Sequence, residues 1–178
     1  QQERWGVKKS MLIMTLLFAL SCFVLLFFGR QVVPAVIGLF GFGLGFAGGM
    51  YLVPLMNGDV VDMDEHRTGL RREGMYAGVN SFITKPAISI AQAVVLGILG
   101  RYGYDQTLAK GLQSATAEMG ILIGWTLVPG VLLLLCFIAL QWYPLAGPEW
   151  EKIKAKLANI HAEKERAYLE ELGYQYTE

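Results

Sequence analysis

The sequence predicts an all-α, polytopic membrane protein: four transmembrane helices followed by an amphipathic helix near the C-terminus. Three observations point there. Hydrophobic residues make up 54% of the 178 and charged residues 17%, which is too apolar for a soluble domain of this length. Four runs reach the roughly 20 mostly apolar residues that a bilayer crossing needs. Lys and Arg also gather on alternate sides of those runs, as they do in a chain threaded with its positive side inward. Formal net charge is zero, so bulk charge implies no nucleic-acid partner.

The first run covers residues 11–28, is led in by Lys8 and Lys9, and lacks the small-residue cleavage pattern of a secretory signal. The chain opens on Gln1 without an initiating Met, from which we expect it to begin within a longer polypeptide. A tight turn, Gly29-Arg30-Gln31, leads into the second run, 32–56. Six glycines lie in that run, and Gly41, Gly45 and Gly49 recur every four residues, on one helix face. Small residues so placed let another helix approach closely, which predicts a packing or sliding interface. The alternative is that glycine is simply frequent in membrane helices.

Residues 59–74 carry the densest charge in the chain, wedged between two apolar runs. Such charges cannot sit in hydrocarbon, so the segment is expected to be a short aqueous loop. Its acids (Asp59, Asp62, Asp64, Glu65 and Glu73) and its bases (Arg67, Arg71 and Arg72) predict a network of ion pairs. Those acids with His66 could suggest a metal site, but the Gly and Glu placement of a calcium-binding EF-hand loop is missing.

The third run, about 78–100, holds Lys85 roughly two turns from its charged end. Ser81, Lys85, Ser89 and Gln92 are spaced 4, 4 and 3 apart, a polar stripe expected to face a cavity or the bundle interior. The alternative is a lysine that snorkels to the nearby interface. Pro86 follows it and can bend the helix. A polar loop, 101–118, leads to the fourth run, about 119–143. Cys22 and Cys136 both lie in apolar runs and read as small hydrophobes.

The N-terminal flank (Arg4, Lys8, Lys9), the charged segment and the tail (Lys152, Lys154, Lys156, Lys164, Arg166) outweigh Arg30, Arg101 and Lys110 on the other side. Both termini and the charged segment are therefore expected to be cytoplasmic. Residues 1–145 form the membrane part and 146–178 the tail. Gly147-Pro148-Glu149 starts the tail helix well, Trp150, Ile153, Leu157 and Ile160 give it an apolar face, and Gly173 is expected to end it. That face should lie on the membrane or on the protein, and His161 is expected to be solvated.

Three motifs in the middle of the chain resemble a known family. Pro54-x4-Asp59-Val-Val-Asp62, Thr68-Gly69-x-Arg71-Arg72-Glu73-Gly74 and Phe82-x-x-Lys85 are similar to those of the glycoside-pentoside-hexuronide:cation symporters. These are melibiose-permease-like members of the major facilitator superfamily. The resemblance, over residues 5–145, implies the ninth to twelfth helices of a twelve-helix transporter working by alternating access. It implies that Asp59, Asp62 and Arg71 belong to a cytoplasmic charge network linked to conformational cycling, and that Lys85 lies at the substrate cavity. It implies a sugar-like substrate, and a coupling cation, Na+ or H+, bound in helices outside this chain. Partners would be lipid and further transmembrane helices. A small structural or assembly subunit is the competing expectation. An enzyme such as an alcohol phosphatidyltransferase is disfavoured, because that family's spaced Asp-Gly, Ala-Arg and later aspartate pattern does not appear.

Overall fold

The computed structural model describes residues 2–109 and 111–172, with side chains from residue 6 onward. Lys110, Gly173 and the side chain of Arg4 lie outside them. Every regular element described is helical, and four helices are long and apolar enough to cross a membrane. Helix α1 (Gln2–Phe28) is interrupted at Gly6, whose φ of 77° suits glycine, so its apolar span runs Gly6–Phe28. It turns at Gly29, whose N–H bonds the Leu25 carbonyl at 2.9 Å, into α2 (Val32–Thr68). Helix α3 (Glu73–Arg101) follows after four residues.

Helix α4 (Ala115–Leu140) is capped by Ser114, whose hydroxyl accepts from the Ala117 N–H at 3.1 Å. It contains a π turn, Ile123–Leu127, in which the Val128 N–H reaches back five residues to the Ile123 carbonyl. Pro129 comes just after it, and the wider turn accommodates a ring that a regular turn would exclude. Helix α5 (Pro148–Glu171) completes the described chain.

The charged segment is where the structure departs most from expectation. Residues 59–68 are the last turns of α2 and not a loop. Charge in water does not oppose a helix, and no Pro or Gly occurs between Asp59 and Gly69. There the backbone turns left-handed at φ 71° and the N–H of Gly69 caps the Glu65 carbonyl at 2.8 Å. At 37 residues α2 is about 55 Å long, well beyond a hydrocarbon core of about 30 Å, so its end is a helical stem standing in water. The spans also shift at their ends. Helix α3 begins five residues earlier than expected, and α4 stops at Leu140, leaving Tyr143 outside it.

Helix α1 lies between α2 and α4. Gly38, Gly41, Gly45 and Gly48 bring α2 onto it, facing Leu25, Ser21, Phe18 and Met14 in turn. Their spacing of 3, 4 and 3 is the near-straight seam of two helices crossing at a small angle. Gly49 has nothing within 4 Å of an added methyl and stands off this seam. On the opposite side of α1, Gly130 of α4 accommodates Cys22 and Phe23. Helix α3 packs on the first half of α4 and buries no residue.

Candidate functional site

The seam that carries the glycines continues along α2 through Leu52 to Asp59 and Asp62, in the same heptad positions. Inside the membrane those positions let α1 approach. Beyond it they hold carboxylates against the elements that close this end of the bundle. Asp59 is 4% exposed, and its Oδ1 pairs with Lys154 Nζ of α5 at 2.8 Å. Tyr143 lies beside it and donates from its hydroxyl to the Met56 carbonyl at 3.4 Å. Burial, and then the negative charge of Asp59, push the Tyr143 phenol up.

Gly69 folds the short connection back so that Arg71 and Arg72 lie over the last two turns of α2. The Arg71 guanidinium donates from Nη1 to Asp62 at 3.1 Å and Glu65 at 2.9 Å, and from Nε to Glu73 at 2.5 Å. Asp62 and Glu65 are three residues apart on one helix face, so a single guanidinium reaches both. Arg72 takes Asp64 with two parallel bonds, Nε to Oδ2 at 2.8 Å and Nη2 to Oδ1 at 2.5 Å. The hydrogen bond from Arg72 holds the Asp64 carboxyl below its ordinary value, against its own burial. The bond to Glu73 does most to raise Arg71, and both guanidiniums stay charged.

Glu65 is the junction of the cluster, its side chain 5% exposed. It meets Arg71, the His161 Nε2 at 2.9 Å and the Lys164 Nζ at 3.7 Å. Burial pushes its carboxyl up, but the hydrogen bonds and charges of His161 and Arg71 bring it below the ordinary value. A carboxylate only accepts, so His161 Nε2 must carry the proton toward Glu65. Its 3.4 Å approach to Arg71 is then a contact between two donors.

His161, expected to be solvated, is thus part of the cluster. The docked face of α5 runs Trp150, Lys154, Leu157, His161 and Lys164, a heptad stripe with three basic residues in five. Reading only the apolar residues of the tail missed it. The structure brings together Asp62, Arg71, Arg72 and Glu73, and gives Asp59 a different partner, Lys154. Among the described residues no group of three or more His, Cys, Asp and Glu is placed to hold a metal ion.

Ser81, Lys85, Ser89 and Gln92 share one face of α3, and all are exposed. Ser89 donates to the Lys85 carbonyl at 3.4 Å, and among the described residues none pairs with the Lys85 ammonium. A cavity of about 490 Å³ adjoins this helix, lined by Pro54, Asn57, Arg71, Tyr76, Asn80 and Ile83.

Residues 2–147 match the family described as MFS/sugar transport protein. The chain belongs to this family. Three relatives that it resembles carry transporter names. It is 31% identical over 159 residues to a glucuronide carrier protein homolog of Escherichia coli, covering 88% of this chain and 34% of that one. It is 33% identical over 162 residues to an isoprimeverose transporter of Lactiplantibacillus pentosus, covering 88% and 33%. A putative glycoside/cation symporter of E. coli is 33% identical over 108 residues, covering 61% and 23%. The chain spans about a third of the length of the first two. No solved structure matches it. The MFS match and the four apolar helices make this an integral, multi-pass membrane protein, and the match agrees with the resemblance carried by the Pro54–Lys85 motifs.

Proposed function

We propose that this MFS chain works within a cation-coupled symporter for sugars or glycosides, with both termini cytoplasmic and Asp59, Asp62, Arg71, Arg72 and Glu73 forming the cytoplasmic charge network. The observation that carries this reading is the Arg71 fork, which ties the end of α2 to the start of α3 through carboxylates on both. Charge-assisted bonds at a helix junction can hold one arrangement of the helices and be exchanged for others when they rock. The network stabilises the outward-facing state, in which this end is closed. Ser81, Lys85, Ser89 and Gln92 face the substrate pathway, where hydroxyl-rich ligands meet an ammonium and amide. The coupling cation, Na+ or H+, binds on helices outside this chain, whose spans hold no carboxylate of their own at membrane depth.

The test is uptake of labelled glycosides into cells producing the transporter with Arg71→Gln or Asp62→Asn. Each should reduce initial uptake about tenfold or more, the scale of one lost charge-assisted bond, at an unchanged membrane level. Wild-type uptake by both would refute the proposal.

A further inference from the structure

Helix α4 is divided between two partners. Its first part, Ala115–Leu122, and the π turn hold α3. A methyl added at Gly120 would stand 2.5 Å from the Tyr102 Cβ, and one added at Gly124 would meet Val95 at 3.5 Å. The second part, Val128–Leu140, holds α1, with Gly130 against Cys22 and Phe23. The Lys8 ammonium of α1 pins the end of this part, donating to the carbonyls of Gln141 and Tyr143, both at 2.8 Å.

The change of partner falls where the helix is weakest. In a regular helix the carbonyls of Gly124 and Trp125 would accept from residues 128 and 129. The Val128 N–H goes to Ile123 instead, and Pro129 has no N–H to give. The buried Thr126 adds a hydroxyl bond to the Leu122 carbonyl, a back-bond of the kind that bends helices. Sharp bends in helices gather at Pro and at π turns, where the ladder is already interrupted.

Helix α3 is held at its two ends. It buries no residue, its start is tied to the end of α2 through Glu73 on Arg71, and its far end rests on the first part of α4. That part of α4 meets the α1–α2 turn through Arg30 and Glu118, 3.9 Å apart with both side chains more than half exposed. A pair so long and so exposed to water is weak and exchanges readily.

We infer that α4 is jointed at the π turn: Ala115–Leu122 swings together with α3 while Val128–Leu140 stays fixed on α1, and the Arg30–Glu118 pair latches the swinging part to the α1–α2 turn. From Trp125 to Ala115 the arm is ten residues. That is about 15 Å at 1.5 Å per residue, so a bend of about 20° moves its tip by about 5 Å. The swing carries the polar face of α3 with it and leaves α1 and α2 in place. It goes beyond the transport reading and depends neither on the substrate nor on the charge network.

The test measures distances between spin labels by double electron–electron resonance on the purified protein in nanodiscs. Labels on Val33→Cys and Ala115→Cys span the joint, and labels on Val36→Cys and Leu132→Cys lie within the fixed part, all four at exposed positions. The exposed Cys136 is replaced by Ala and the buried Cys22 is kept. The first pair should give two distances about 5 Å apart and the second pair one. Pro129→Ala supplies the N–H that a regular turn needs and should merge the two distances into one. Glu118→Gln leaves the helix intact and should shift the two populations about 1.5- to 5-fold toward the longer distance, the scale of an exposed ion pair. A single distance of equal width for both label pairs would overturn the joint. Unchanged populations in Pro129→Ala would overturn the π turn as its position, and unchanged populations in Glu118→Gln would overturn the latch.

Discussion

Replacing Gly45 by alanine tests the α1–α2 seam most directly. The added methyl carbon would lie 2.5 Å from the Phe18 Cβ, 2.7 Å from its Cα and 2.9 Å from its backbone nitrogen. Carbon atoms rest about 3.5–4.0 Å apart, so the helices must separate locally by about 1 Å. Two of the three obstructing atoms are backbone and cannot rotate away. Phe18 also stacks edge-on against Phe42 at 4.7 Å and Phe46 at 6.2 Å, so any shift disturbs two further contacts. Overpacking of this kind costs about 1–3 kcal/mol. For a chain of this size that corresponds to a melting temperature lower by about 2–12 °C, at about 2–4 °C per kcal/mol. Gly49→Ala is the control, since its methyl meets nothing within 4 Å and alanine favours the helix by about 0.5–1 kcal/mol. Thermal unfolding in detergent, followed by circular dichroism, should separate the two variants in opposite directions. Equal melting of Gly45→Ala and Gly49→Ala would refute the seam and leave the simpler four-residue glycine face.

Three further outcomes are expected. Lys154→Ala removes the partner of a buried carboxylate, which costs about 3–5 kcal/mol in a fully buried pair and less here, with Lys154 about one-third exposed. Faster hydrogen exchange across α5 should report it, and unchanged exchange would show that the pair contributes nothing. Glu65 has a lowered folded pKa, so its contribution to α5 docking is complete above the ordinary glutamate value of about 4.3 and lost as pH falls through the lower folded one. Protease protection of the tail should persist at pH 5 and disappear with further acidification, and Glu65→Gln should remove that dependence. Lys85→Met should weaken substrate binding about tenfold while Lys85→Arg retains part of it, as read by ligand-induced thermal shift. Wild-type affinity in Lys85→Met would return this lysine to the interface as a snorkelling side chain.

The sequence by itself determined the class, the number of spans and the identity of most charged residues in the cluster. Those depend on composition and local periodicity: about 20 apolar residues can span a bilayer whatever surrounds them. The family motifs were legible for the same reason, because they are runs of residue types at fixed spacing between Pro54 and Lys85. The tertiary structure decided what those residues touch. A cluster of like and unlike charges reads equally well as a loop or as a solvated helix, and only the backbone shows α2 continuing to Thr68. Glycines at 41, 45 and 49 share a face by arithmetic, yet the partner helix crosses along 38, 41, 45 and 48, and that line is set by the crossing of two rods. Asp59 lies 95 residues from Lys154, and Glu65 lies 96 from His161. No local pattern encodes such a pairing, because it arises when α4 returns the chain to the end where α2 stands.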